Sequence, residues 1–457
     1  MLKLTDDTIV AQATAQGRAG VGIVRVSGPL VRSIIAKIAG LEPTPRTAIY
    51  ADFHSFDNNL IDQGIILYFS APNSFTGEEV VEFHCHGSPI VLDYLVETII
   101  QYGARLARPG EFSERAFLNG KMDLAQAEAI ADLIDSVSRQ AAKASVQSLQ
   151  GKFSNKIQLL VKELIHLRMY IEASIDFSEE EIDFLSDGKT QNQLKKLIST
   201  VEDIQSVAKQ GELLKDGIAI AIIGVPNAGK SSLLNQLTGF ERAIVTDIPG
   251  TTRDILREHI QIDGMPLHII DTAGLRISDD VVEQEGIRRT TTEIERADHI
   301  LLLIDGYEWQ NEGVSLLEKI DSLKQYQLPV KKITIVINKI DLLNEEPSIS
   351  SENGFQMIKL SAKTGSGIDL LKTCLKETVG YKIPEEGIFI ARRRHLSAIK
   401  EALDYLHLAQ EQLESHKALE LTAEELLLAQ NALSTITGEF TSDDLLGEIF
   451  SNFCVGK

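Results

Sequence analysis

The spacing of apolar and polar positions divides the chain into stretches of different period. Over residues 1–119, short β-rich runs such as 21–26 and 64–69 are separated by Gly, Pro and Asn clusters, which predicts an α+β domain. Residues 123–177 instead place apolar side chains three and four apart among Ala, Leu, Gln, Lys and Glu, the period of an amphipathic helix. Proline removes a backbone donor and clashes inside a helix, and none occurs between Pro109 and Pro226 or after Pro384, so both gaps permit long helices. In the second gap Ala398, Ala402, Leu403, Leu406 and Leu413 recur at helical spacing before a turn near Thr437 and Gly438. Between the helical stretches, strand-like runs at 218–223, 267–270, 299–304 and 333–337 alternate with helical segments, which predicts a doubly wound, mostly parallel sheet. The expected architecture is multidomain, combining α+β and α/β parts. An N-terminal domain (1–119) precedes a helical domain built from 120–215 and 380–457, with an α/β domain (216–379) inserted into it.

Composition narrows the functional classes. At roughly 150 residues per domain, 457 residues suggest about three domains, and 43% apolar content is ample for their cores, which excludes a disordered chain. Sixty-six acidic against forty-five basic side chains leave a net charge of −21, which repels phosphate polymers; contact with nucleic acid is then local or borrowed from a partner. Cys85, Cys374 and Cys454 lie far apart without CxxC spacing, so a reducing, cytoplasmic setting is expected. No apolar run approaches the ~18 residues of a membrane span, and the start lacks the apolar core of a signal peptide. Glu179, Glu180 and Glu181 read as a solvated surface.

The strongest chemical signal is Gly224, Val225, Pro226, Asn227, Ala228, Gly229, Lys230 and Ser231. They fit GxxxxGK[ST] after a predicted strand and before a helix opening at Ser232. Glycines there let main-chain amides converge on phosphate oxygens; Lys230 places a cation on the β- and γ-phosphates, and the Ser231 hydroxyl ligates Mg²⁺. Downstream, Asp271 ends a strand before Thr272, Ala273 and Gly274, where its carboxylate can hold the Mg²⁺ shell through water and the Gly274 amide can meet the γ-phosphate. Asn338, Lys339, Ile340 and Asp341 follow another strand, and the Asp341 carboxylate can accept from the N1 and N2 hydrogens of guanine, which adenine lacks. A site built for those hydrogens rejects a base without them by ~10⁴-fold. Ser361, Ala362 and Lys363 stand at the spacing of a loop closing over the base. Together these elements predict a Ras-like P-loop domain that binds GTP with Mg²⁺; an ATPase is the weaker reading.

One part is missing. The residue after Gly274 is Leu275, where Ras-like enzymes usually keep a glutamine that orients the attacking water. The substitutes are Arg276, Glu283 and the segment 243–254, whose Thr252 can ligate Mg²⁺ when the γ-phosphate is bound. Asn227 offers a side-chain oxygen near the phosphates, and the carbonyls and hydroxyls around Thr246, Ile248 and Thr251 can form a niche for a monovalent cation in the place of an arginine finger.

The P-loop, the run Asp247, Ile248, Pro249, Gly250, Thr251, Thr252, Arg253 and Asp254, the DTAGLR, NKID and SAK motifs, residues 108–121 and the terminal 453–457 together resemble the MnmE (TrmE) family of tRNA-modification GTPases over essentially the whole chain. The resemblance implies a homodimer whose N-terminal domain binds 5-formyltetrahydrofolate, with Arg25, Glu82, Lys121 and Lys457 at the matching positions. It implies that K⁺, held by Asn227, Thr246, Ile248 and Thr251, drives dimerisation of GTPase domains and stimulates hydrolysis. Lys230, Asn227 and Glu283 would serve that hydrolysis, Glu283 by orienting water, and Cys454 would lie beside the folate site and assist modification. The implied partners are tRNA and an MnmG (GidA)-like flavoprotein carrying FAD, in a heterotetrameric complex without a membrane. The implied product is a carboxymethylaminomethyl or aminomethyl group at C5 of the wobble uridine. A GTP-switched assembly factor that modifies nothing is the competing class. Two further features are weighed by residue type. Glu82, His84 and His86 alternate on one strand face with Cys85 on the other, which disfavours a metal site. Arg105, Arg108 and Arg115, and Arg392 to Arg394, offer local cations to RNA.

Overall fold

The computed structural model describes residues 7–176, 188–239, 257–271, 297–312, 332–382, 388–439, 449–451, 453 and 456. The N-terminal elements are β1 (Ile9–Gln12), β2 (Ala19–Ser27), α1 (Val31–Ala39), β3 (Ala48–His54), β4 (Leu60–Phe69), β5 (Val80–Gly87), α2 (Pro89–Gln101), β6 (Arg105–Leu106) and α3 (Glu111–Leu118). The strands form one sheet in the order β3-β4-β5-β2-β1-β6. Alternation sorts its two faces: Val10, Val24, Val26, Val81 and Phe83 pack beneath Ile34 and Ile35 of α1 and Leu92 and Leu95 of α2. The opposite face therefore receives the intervening residues. Ala11 stands opposite Arg25 in one ladder and Arg25 opposite Glu82 in the next.

The arginines of this domain correct one expectation. Arg115 is buried, donating through Nη2 to Asp7 Oδ1 at 2.7 Å and Glu111 Oε1 at 3.1 Å, and through Nη1 to Glu78. Arg105 is paired with Asp7 and Glu111, and Arg108 with Glu114 at 2.9 Å. Arg115 is therefore neutralised inside the fold and is no surface cation, whereas Arg105 and Arg108 are paired but remain exposed. Arg392 is committed likewise, with Nη2 2.8 Å from Asp132 Oδ1.

The helical elements are α4 (Leu124–Ile134), α5 (Arg139–Leu149), α6 (Lys152–Asp176) and α7 (Lys189–Asp216). After α7 come β7 (Ile218–Gly224), α8 (Lys230–Thr238), β8 (Arg257–Ile262), β9 (Met265–Asp271), β10 (His299–Asp305), α9 (Gly306–Glu312), β11 (Ile333–Asn338), β12 (Ser348–Glu352), β13 (Phe355–Lys359) and α10 (Ile368–Thr378). The helices α11 (Arg393–Glu411) and α12 (Leu419–Thr437) follow. Helices α6 and α12 pack along their length, tied by Arg168 Nη1 to Gln430 Oε1 at 2.9 Å. Gly438, at φ 91°, ends α12 where a Cβ would meet the Phe117 ring at 2.8 Å.

Two compact units emerge. One gathers residues up to 131, 148–202 and 397–457; the other gathers 132–147 and 203–396. The second is centred on a seven-stranded sheet ordered β12-β13-β11-β10-β7-β9-β8. Its middle strands are parallel, and every residue of β10 and β11 is buried, as strands covered on both faces require. Its edges depart from a wholly parallel sheet, because β8–β9 and β12–β13 are antiparallel hairpins. Asp263 and Gly264 (φ 51° and 86°), and Asn353 and Gly354 (φ 52° and 83°), supply the two left-handed residues that a two-residue hairpin turn demands. The core of this unit also takes in Ala144, Leu214 and Ile390. Among the described residues, no helix is long and apolar enough to cross a membrane.

Candidate nucleotide and ligand sites

In a parallel sheet, ligands bind beyond the carboxyl ends of the strands. The loop after β7 leaves that edge tightly: a Cβ on Gly224 would lie 2.6 Å from the Leu303 carbonyl oxygen. Asn227 and Gly229 take positive φ (64° and 99°), and α8 opens at Lys230 with its first amides facing the loop. Lys230 Nζ bridges the loop, donating to the Gly224 and Val225 carbonyls at 2.7 and 3.2 Å. Ser231 and Ser232 lie exposed on the first turn of α8, and Asn227 is exposed in the loop. This set of converging amides, one ammonium and one hydroxyl fits a polyphosphate and its magnesium.

Two more loops are drawn to the same edge by one buried side chain. Asn338 donates through Nδ2 to the Ala228 carbonyl at 2.7 Å and accepts from the Ala362 amide at 2.8 Å. A Cβ on Gly229 would lie 2.2 Å from that Nδ2, so glycine lets the phosphate loop and Asn338 meet. The Ser361 hydroxyl donates to Asp341 Oδ1 at 2.6 Å and receives the Thr364 amide at 3.2 Å. The Asp341 carboxylate is thus oriented with its second oxygen available to a base edge. Lys363 is exposed beside it.

The second constellation lies on the N-terminal sheet's open face. Arg25 Nη2 is 2.9 Å from Glu82 Oε1, and Arg25 Nη1 reaches the Gly456 carbonyl at 3.4 Å. Its guanidinium lies over the Phe75 and Phe112 rings, 5.6 and 5.8 Å from their centroids. Gly456 is pressed against the main chain of Gln12 and Ala13, which places its carbonyl at this face. Lys121 Nζ donates to the Pro72 carbonyl at 2.9 Å, at the base of the loop that carries Phe75. His84 turns to Glu82 at 3.3 Å and His86 to Asp62 at 2.9 Å, so the two imidazoles serve different carboxylates. Among the described residues, no group of His, Cys, Asp and Glu could hold a metal ion. Cys85 is buried, and burial, with the Asp62 charge adding to it, pushes its thiol up to about 11, so it is inert.

Comparison with known proteins settles the kinship. Residues 124–454 match the MnmE helical domain and residues 8–121 the N-terminus of the GTP-binding protein TrmE. A tRNA modification GTPase MnmE from Haemophilus influenzae (strain PittGG) is 57% identical over 453 residues, covering 99% of this chain and 100% of that protein. The chain belongs to the MnmE family. A second member, from Saccharophagus degradans, is 56% identical over 459 residues and covers 100% of both chains. A solved GTP-binding protein from Sulfolobus solfataricus in complex with GDP is 19% identical, with a TM-score of 0.27, covering 48% of this chain and 67% of that one; so distant a likeness carries no weight beside the sequence relatives.

Several expected site residues lie outside the described residues: Thr246, Asp247, Ile248, Pro249, Gly250, Thr251, Thr252, Thr272, Ala273, Gly274, Leu275, Arg276, Glu283, Cys454 and Lys457. Asp271 is described through its main chain, as the last residue of β9. The structure adds groups that the motifs did not single out. Phe75 and Phe112 flank Arg25 because they meet in space from a loop and a helix; Phe112 lies within the stretch 108–121, but nothing in that stretch points to Arg25. The Asp305 carboxylate, at the end of β10, pairs with Lys339. Its signal was a lone aspartate closing an apolar strand.

Proposed function

We propose that this chain is a GTP-hydrolysing tRNA-modification enzyme. With an MnmG (GidA)-like flavoprotein partner, it forms 5-carboxymethylaminomethyl or 5-aminomethyl uridine at the wobble position of certain tRNAs. The observation that supports the reading is the convergence of the phosphate loop, Asn338, Asp341 and Ser361 at one sheet edge, in a chain whose full length matches proteins named tRNA modification GTPases. Gly224, Asn227, Ala228, Gly229, Lys230, Ser231 and Ser232 would hold the phosphates, with Mg²⁺ shared between Ser231 and Thr252. Asn338, Lys339, Asp341, Ser361, Ala362 and Lys363 would hold the guanine. K⁺ would be held by Asn227, Thr246, Ile248 and Thr251 and neutralise charge developing at the phosphates during hydrolysis. Glu283 would orient water in place of the absent glutamine.

The N-terminal site would take 5-formyltetrahydrofolate, which supplies a one-carbon unit when bound. Arg25 and Glu82 are in contact, so they address the same end of such a ligand. Glu82 accepts from a pterin amino group while Arg25 fixes its orientation. The ligand's glutamate carboxylate is then left to Lys121 or Lys457. Cys454 would stand beside that site, in a homodimer working in the cytoplasm.

Mass spectrometry of wobble uridines from cells lacking the chain tests the reading. Loss of the modified nucleoside is expected; unchanged nucleosides would identify a GTP-switched assembly factor instead. GTP turnover in K⁺ against Na⁺ buffer tests the cation niche, and equal rates would remove it.

A further inference from the structure

We propose that Asp305 is a positioning residue for guanine binding, acting through Lys339; this rests on the reading of the α/β domain as a guanine-nucleotide site. Asp305 closes β10 directly beside Asn338 in the parallel ladder, at the sheet edge where the nucleotide loops meet. Its side chain is only 4% exposed, and both oxygens are used. Oδ1 accepts from the Tyr307 and Glu308 amides at 3.1 and 3.3 Å, capping α9, while Oδ2 grips Lys339 Nζ. Lys339 holds a left-handed φ of 67°, a conformation that a long side chain seldom adopts without an outside restraint.

The neighbours of Lys339 are pinned for the nucleotide: Asn338 to the phosphate loop and Asp341 to Ser361. Anchoring the ammonium on a buried carboxylate fixes the intervening Lys339 stem between those two contacts. Its methylenes then form a ready flat wall against the purine face, in a conformation that need not be ordered on binding. Asp341 reads the edge of the base and Lys339, held by Asp305, supports its face. The α9 cap alone would need only an acceptor; the grip on Lys339 needs the charge.

Asp305→Asn separates the two roles, because the amide oxygen still caps α9. On the full chain, fluorescent GDP should bind up to about 10-fold more weakly and KM for GTP rise by the same factor, the cost of ordering the released Lys339 side chain on binding. The kcat should stay at the wild-type value while KM rises, a split that a purely structural role would not produce; the melting temperature should fall, because the lost ion pair belongs to the free protein. The double variant Asp305→Asn/Lys339→Met, which leaves no buried charge unpaired, should bind GDP no more weakly than the single variant. If Asp305→Asn binds GDP as the wild type does while Lys339→Ala binds weakly, the positioning role is wrong and the guanine site stands. If the wild-type chain binds an adenine nucleotide as tightly as GDP, the guanine reading falls and this proposal with it.

Discussion

The two sheets of this molecule build their sites in opposite ways. On the α/β sheet, each contact to the expected nucleotide comes from a short run of adjacent residues in a loop, and strand order carries the loops to one edge. On the N-terminal sheet, residues 25 and 82 meet through ladder register, and residues 112 and 456 reach them from a helix and from far along the chain. A loop site keeps its chemistry in local sequence, so it reads as a motif. A register site keeps its chemistry in pairing, so it reads as scattered ordinary residues until the sheet is formed.

The difference predicts how each site fails. A motif site should fail by losing a specific ligand group while the fold stands. Asp341→Asn should weaken GTP binding by ~10³ to 10⁴-fold, because an amide cannot accept from both N1 and N2 hydrogens. The same change should favour xanthosine triphosphate, whose C2 oxygen accepts from the new amide. Nucleotide titration of the full-length variant checks both, and GTP binding within a few-fold of wild type would break the comparison at its stronger side.

Acid should separate the sheets as well. His299 is buried in the α/β sheet, with Nε2 2.9 Å from Thr334 Oγ1 and, among the described residues, no partner for Nδ1. Burial lowers its pKa from 6.5 to about 4. The unfolded state then binds more protons between those values, so stability falls as pH drops from about 6.5 to 4, by about 3 kcal/mol in full. In the N-terminal domain, burial pushes Glu111 of α3 up, but bonds from Arg105, the Arg108 amide and Arg115 overcome this and hold it below 4.5. Its contribution is therefore lost only below that pH, partly offset by Glu114, which burial raises. Trp309, the single tryptophan, packs on the α/β sheet and reports its unfolding. Urea titrations followed by Trp309 should show stability declining from pH 6.5, a decline that His299→Gln removes, while the protection of β2 amides, corrected for the intrinsic pH dependence of exchange, shows no such decline over that range. An unchanged pH dependence in His299→Gln would assign the decline elsewhere.

Much of the fold was legible because burial imposes period. The buried runs 218–223, 299–304 and 333–337 could only be central strands once helical segments alternated with them. The edge hairpins went unread although Asp263-Gly264 and Asn353-Gly354 are strong turn signals, because β8, β12 and β13 are half-polar and lack the apolar run that marked β9 and the centre. Lys230, Asn338, Asp341 and Ser361 were legible as motif members, and their geometry follows from loop positions. Arg115 was misread, since a lone arginine on a helix looks like a surface cation. Only the fold shows Asp7, Glu78 and Glu111 enclosing it.

The smallest effect bears on the register site itself. Arg25 is held by Glu82, two aromatic rings and the tail carbonyl, so removing its charge alters several weak contacts and no single strong one. Arg25→Met keeps the aliphatic stem over Phe75 and Phe112, which should preserve the sheet, while Glu82 retains His84 as a neighbour. Calorimetry with 5-formyltetrahydrofolate should then show binding about 10 to 30-fold weaker, with GDP affinity unchanged. Glu82→Gln should behave similarly, and the double variant should lose little more than either single one if the pair acts as a unit on one end of the ligand. Additive losses would mean that the two side chains hold different ends, and the 2.9 Å contact between them would then have to open on binding.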